Sequence, residues 1–296
     1  MAPRAIFVTT VRTPAGKTAA RFLIGSIRAF GGEMAACPIW VFATDPLYET
    51  SRDLEGSNLR VLRLSVPEAV RRYPFADKVY ACARAEAAAS AGVESLIWFD
   101  LNCLIVQPPV LFGLGTQFDA ALRPVHIRNV GLAPSDPPDA FWRGVYACVG
   151  IDDVRDTVES FVDRRVLRAY FNSHALAVKP ATGLFGRWRE CFERLVRNED
   201  FQASACQDET HRIFLFQAVL SALVVSSLDK PRIRILPPTY NYPYNLQAQV
   251  PEDRRAAAMN DLVCFPFEDR ILRPDAVSDI QIREPLLSWL KANVPA

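Results

Sequence analysis

Short apolar runs alternate with longer amphipathic stretches along the chain, and this spacing predicts its elements. Ala5–Thr10, Pro38–Ala43, Leu59–Leu64 and Ser95–Phe99 read as strands. Apart from Leu59–Leu64, with its Arg60 and Arg63, they are continuous runs rather than alternating ones, as in a sheet covered on both faces. Thr18–Phe30 carries Phe22, Leu23, Ile27 and Phe30 at helical spacing and stops at Gly31-Gly32. Asp77–Ala91 is an alanine-rich helix closed by Gly92. Strands and helices in alternation predict an α/β doubly wound unit over about the first 110 residues.

The second half is less regular. Phe118–Leu122, Leu176–Val178 and Arg232–Leu236 are strand candidates, and Asn129–Asp139 is a proline-rich loop. Leu184–Val196 puts Phe185, Trp188, Phe192 and Leu195 on one helical face. Ser204–Leu228 opens with a capping-box pattern, Ser204-x-x-Gln207, ahead of an apolar helix. Its uncharged run, Ile213–Leu228, is shorter than the ~20 apolar residues of a spanning helix. It is expected to be a buried core helix. No repeat or clear linker divides the chain, so one continuous domain is expected over residues 1–296, with residues 1–110 and 111–296 as its halves.

Composition narrows the function classes. The 34 Lys+Arg against 33 Asp+Glu leave a formal net charge of +1, so no global basic field attracts nucleic acid or an anionic membrane. Half the residues are hydrophobic, which excludes a disordered chain. Seven scattered Cys without a C-x-x-C pair argue for a reducing compartment. With no signal-like apolar stretch at Met1–Thr10, a cytoplasmic protein without a transmembrane segment is expected. The 22 Pro outnumber the 13 Gly and gather after proposed strand ends.

Ligands of open α/β sheets bind beyond the carboxyl ends of the strands. The polar residues there are Thr9, Thr10 and Arg12, then Asp45, then Asp100 and Asn102. Residues two apart in extended chain project to one side. Asp100 and Asn102 thus have two readings. They hold a hard divalent cation and its phosphates, or Asp100 caps a turn. On these residues alone the turn cap is favoured.

The surroundings shift that weighting. "LIWFDLNCLIVQPP" resembles the strand and DxD segment of GT-A fold nucleotide-sugar glycosyltransferases. "KVYACARAEAAASAG" is similar to the helix before that motif, "YFNSHALAVKP" to its FNSG segment, "CQDETHRIFLFQAVL" to its DQ helix start in reversed order, and "LPPTYNYPYN" to its Leu-Pro, Tyr and Asn segment. The ordered set covers about Ala5–Asn245 and is most like the glycogenin-like and galactosyltransferase-like group.

The resemblance implies a GT-A type fold: a Rossmann-like, mostly parallel mixed sheet flanked by helices. It implies a nucleotide-diphospho-sugar donor, a UDP-sugar favoured, and a saccharide, lipid or protein acceptor. Thr9, Thr10 and Arg12 would hold base and ribose, with Asp45 also substrate-binding and Lys78 beside the diphosphate. Asp100 and Asn102 would hold Mn²⁺ or Mg²⁺. Asn172, Ser173, Gln207, Tyr240 and Asn241 would face sugar or acceptor, and Asp208 would be the catalytic carboxylate. Structural readings stand beside these: helix capping for the threonines and Asp208, a solvated surface position for Lys78. The sequence departs from the group at Asn102, an amide where the motif has an acid. It departs again at His174, where the group has Gly, and in "LVCFPFEDR", which lacks the expected His. These departures motivate an alternative, a GT-A-like nucleotide-sugar-binding protein without catalysis. A nucleotidyltransferase ranks last, since Thr9–Lys17 holds only Gly16.

Overall fold

A computed structural model describes residues 4–268, 270, 272–277 and 279–294. The first part runs β1 (Ala5–Val11), α1 (Pro14–Phe30), β2 (Ile39–Thr44), α2 (Leu47–Ser51), β3 (Leu59–Leu64), α3 (Glu68–Arg71), α4 (Ala76–Ala88), β4 (Ser95–Phe99) and β5 (Cys103–Ile105). Then follow β6 (Ala120–Pro124), α5 (Ala140–Val149), β7 (Thr157–Glu159), β8 (Val166–Arg168), β9 (Phe171–Val178), α6 (Leu184–Arg197), α7 (Glu199–Ala205), α8 (Glu209–Ser227), β10 (Ile233–Ile235), β11 (Cys264–Pro266) and α9 (Leu286–Asn293).

Seven strands form the main sheet in the order β10-β6-β9-β4-β1-β2-β3. The β4-β1-β2-β3 block is parallel, and β10 lies parallel to β6. β9 runs antiparallel to both β4 and β6 and joins the two blocks. The architecture is therefore the mixed, mostly parallel α/β sheet that the resemblance implies.

Both sheet faces are buried, which explains the unbroken apolar strands. Ile6, Val8, Trp40, Phe42, Leu96 and Trp98 face a cluster built with α4, α5, α6 and α8. Phe7, Val41, Ile97 and Phe99 face the other way, onto Leu23 and Ile27 of α1.

Helix ends follow local chemistry. α1 starts four residues before the expected Thr18, because Thr13 Oγ1 accepts from Gly16 N and Pro14 occupies the first helical position. α6 has no capping side chain of its own. Glu86 of α4 accepts from Phe185 N and Gly186 N instead. The Ser204 capping box does not form. Ser204 lies within α7 and its hydroxyl bonds Asp200 O, while Asp208 caps α8. α8, 19 residues long, is long and apolar enough to cross a membrane by length and composition alone. Here Leu215–Val224 is buried in the core, as expected.

Candidate active site

The cleft opens where β1 and β4 end, because the polar residues follow the last buried strand positions. Thr10 Oγ1 donates to the Phe42 carbonyl (3.0 Å), which ties β1 to β2. Thr9 Oγ1 is buried without a partner and lines the cleft. Arg12 stands at the mouth, exposed, with one long contact to Asp77 (3.6 Å). Burial raises the Asp77 carboxyl above its ordinary range, with Arg12 opposing that rise.

Asp100 follows β4, and its amide donates to the His174 carbonyl of β9 (2.8 Å). Its carboxylate receives Trp98 Nε1 (2.7 Å) and Lys78 Nζ (2.8 and 2.9 Å). Lys78 is only 2% exposed, so the solvated-surface reading of it is corrected. Its ammonium also donates to Ser173 O (3.1 Å) and lies against the rings of Phe75, Trp98 and Phe216 at 5.2, 5.6 and 4.9 Å. Such a buried cation persists only because it is paired, hydrogen-bonded and faced by π-clouds. Phe75 adopts φ +60°, a left-handed conformation disfavoured for a bulky residue. That turn lays its ring on Phe216, with centroids 4.3 Å apart.

β9 supplies the far wall. Asn172 Oδ1 accepts from the His174 amide (2.8 Å) and Asn241 Nδ2 (2.7 Å), and lies 2.9 Å from His174 Nδ1. His174 Nε2 meets Glu268 Oε1 (2.9 Å), and Asn245 Nδ2 donates to Glu268 Oε2 (2.7 Å). The His174 contact holds the Glu268 carboxyl below its ordinary range. Ser173 Oγ donates to Gln217 Oε1 of α8 (3.1 Å).

These groups enclose two adjoining compartments of about 470 and 360 Å³. Thr9, Thr10, Arg12, Lys78, Asp100 and Asn102 line the first. Asn172, Ser173, Gln217, Asn245 and His126 line the second. Phe75, Lys78, Asp100, His174 and Glu268 belong to both and mark the junction.

Five expected site residues lie elsewhere. Asp45 is exposed and pairs with Arg63 (2.7 Å). Gln207 bonds back to Ala203 O (2.6 Å). Asp208 is the exposed cap of α8, accepting from His211 N (2.9 Å), so a helix terminus explains it in full. Tyr240 is buried on the α1 side of the sheet, where its hydroxyl accepts from Leu111 N (3.0 Å). Asn241 is buried behind the wall and holds Asn172 from there. Sequence reasoning did not single out Phe75, Asp77, Gln217, Asn245 or Glu268. Two signals were present. Gln217 is an amide inside an otherwise apolar helix face, and Glu268 falls in the segment where a His was expected.

The residues do not fit the divalent cation that the resemblance implies. Asp100 is the single carboxylate of the pair, and Trp98 and Lys78 already engage both of its oxygens. Asn102 offers one neutral oxygen, unpartnered and covered. Among the described residues no group of three His, Cys, Asp or Glu converges as metal ligands.

Comparison with known proteins adds the family. The family model of the Rhodobacterales glycosyltransferase domain matches residues 7–229. No curated protein matches the chain. Among solved structures, mouse xyloside xylosyltransferase 1 in its apo form is similar at 12% identity and a TM-score of 0.47, over 88% of this chain and 97% of that one. The galactosyltransferase LgtC, in complex with donor and acceptor sugar analogs, is similar at 11% identity and a TM-score of 0.47, over 88% and 86%. With three quarters of its length matched by that domain, the chain belongs to the Rhodobacterales glycosyltransferase family and is a sugar-transferring enzyme.

Proposed function

We propose that the enzyme takes its sugar from a nucleotide-diphospho-sugar held across the two compartments. One observation carries the reading. A buried Lys78–Asp100 pair sits at the junction of a polar cleft placed at the carboxyl ends of β1 and β4. The nucleoside lies against Thr9 and Thr10, and the diphosphate lies between Arg12 and Lys78. Thr9 and Asn102 line the first compartment and border the donor there. The sugar passes the junction toward Asn172, Ser173 and Gln217, with the Phe216 ring as an apolar face.

Transfer breaks the bond from the anomeric carbon to the phosphate oxygen, forms one to the acceptor hydroxyl oxygen, and passes that hydroxyl's proton to the leaving diphosphate. Positive charge builds on the sugar as the first bond weakens. Glu268, ionised and facing the junction, stabilises that charge. It takes the place that the sequence reading gave to Asp208. The cations stabilise the leaving diphosphate, and the walls hold the acceptor in line.

Thermal unfolding with nucleoside diphosphates tests this. A ligand at ~100 times its Kd adds about 2.7 kcal/mol of stability. Uridine or guanosine diphosphate is expected to raise Tm, and incubation with the matching nucleotide-sugar is expected to release nucleotide. No shift with any nucleoside diphosphate would sink the reading.

A further inference from the structure

We propose that the donor diphosphate is bound by the enzyme's own cations, Arg12 and Lys78, without a divalent ion at Asp100 and Asn102. The proposal rests on the nucleotide-sugar reading above and departs from what the sequence resemblance implies.

A hard divalent cation seeks about six oxygens, and at a phosphate site the protein supplies one or two carboxylates with free lone pairs while water and phosphate supply the rest. Asp100 Oδ1 accepts from both Trp98 Nε1 (2.7 Å) and Lys78 Nζ (2.8 Å), and Oδ2 accepts from Lys78 at 2.9 Å. A metal ion on either oxygen would press against an ammonium that cannot retreat. Lys78 is enclosed by Phe75, Trp98 and Phe216 and fixed to the Ser173 carbonyl. The second position, Asn102, brings an oxygen without charge. Glu268, the other carboxylate at the junction, is held through both oxygens by His174 and Asn245.

The cations are better placed. Lys78 lines both compartments; its N–H donors are given to Asp100 and Ser173, so it acts on a diphosphate at the junction as a fixed nearby charge and not as a hydrogen-bond donor. Arg12 lines the first compartment, with a side chain 60% exposed and a single loose contact to Asp77 (3.6 Å). A guanidinium held so weakly can turn onto a phosphate and meet it through two N–H donors.

The experiment is calorimetric titration of the full chain with the nucleoside diphosphate that raises its Tm. It is run once in chelator and once in excess Mn²⁺ or Mg²⁺. The two Kd values are expected to agree within about threefold, less than one charge-assisted hydrogen bond contributes. Arg12→Gln, a surface change that spares the fold, is expected to raise Kd about tenfold or more in both buffers. Binding that appears only with the cation overturns the proposal and leaves the donor reading standing. Unchanged affinity in Arg12→Gln also overturns it. No binding in either buffer overturns the donor reading itself, and this proposal with it.

Discussion

Removing the Lys78 ammonium strands the Asp100 carboxylate in a pocket that is closed on most sides. Breaking one partner of a buried pair costs about 3–5 kcal/mol, whereas replacing both with apolar groups costs far less. Lys78→Met is therefore expected to lose most of that amount in urea unfolding. The double change Lys78→Met with Asp100→Leu should recover much of it. Equal losses in the two variants would show that the pair is not coupled. Glu268 makes a pH-dependent contribution. Its carboxyl is held below its ordinary range by His174, so its ionised form stabilises the fold. That contribution is complete above the unfolded carboxyl value of about 4.3 and is lost as pH falls through the lower folded value. Urea unfolding of wild type and Glu268→Gln is expected to differ most above about pH 5 and to converge in acid. Parallel curves would show that the pair contributes nothing. The cleft's first compartment was legible in the sequence because strand-end geometry alone points to Thr9, Thr10, Arg12, Asp100 and Asn102. Gln217 and Glu268 were not, since only the docking of α8 and of the chain after β11 brings them to β9. Asp208 misled because one residue type serves both helix caps and catalysis.

At the scale of elements, strands were read more accurately than helix starts. β4 matches its expected bounds because burial on both faces leaves an uninterrupted apolar run, and β3, an edge strand, matches through its alternation of buried Leu59, Val61 and Leu64 with exposed Arg60 and Arg63. β9 begins five residues before the expected Leu176, since Phe171–Ala175 includes polar residues that the cleft uses. α7 and α8 were merged with a false cap, because Ser204 and Asp208 are both good capping residues and only packing chooses between them. The packing of α5 on α7 is tight. A Cβ built on Gly144 would lie 2.3 Å from the Phe201 ring. Gly150 ends α5 at φ +83° with open space around it. Gly144→Ala is expected to cost about 2–3 kcal/mol through overpacking. Gly150→Ala is expected to cost about 1 kcal/mol through backbone strain alone. Thermal unfolding of the two variants orders them, and the reverse order would place the strain at the cap.

For the whole molecule, the sheet order decides whether the two sequence halves stand alone. β4 pairs with β9 from Leu96↔Val178 to Phe99↔Ala175, so residues 1–110 keep β4 but lose its neighbour. We propose that the halves form one folding unit. A fragment of residues 1–110 is expected to show no cooperative thermal transition by circular dichroism. A sharp transition would mark the first half as independent. Near-zero net charge is compatible with a cleft whose few cations act locally.

The position of β9 also bears on synthesis. About 80 residues separate Phe99 from the end of its partner strand. At ~5–20 residues per second, β4 waits roughly 4–16 s on the ribosome with an open hydrogen-bonding edge. That edge is the apolar segment Ser95–Phe99, whose backbone groups on that side lack their partner until β9 arrives. Bare apolar edges recruit other strands. The nascent chain is therefore expected to be a chaperone client between the completion of β4 and the arrival of Val178.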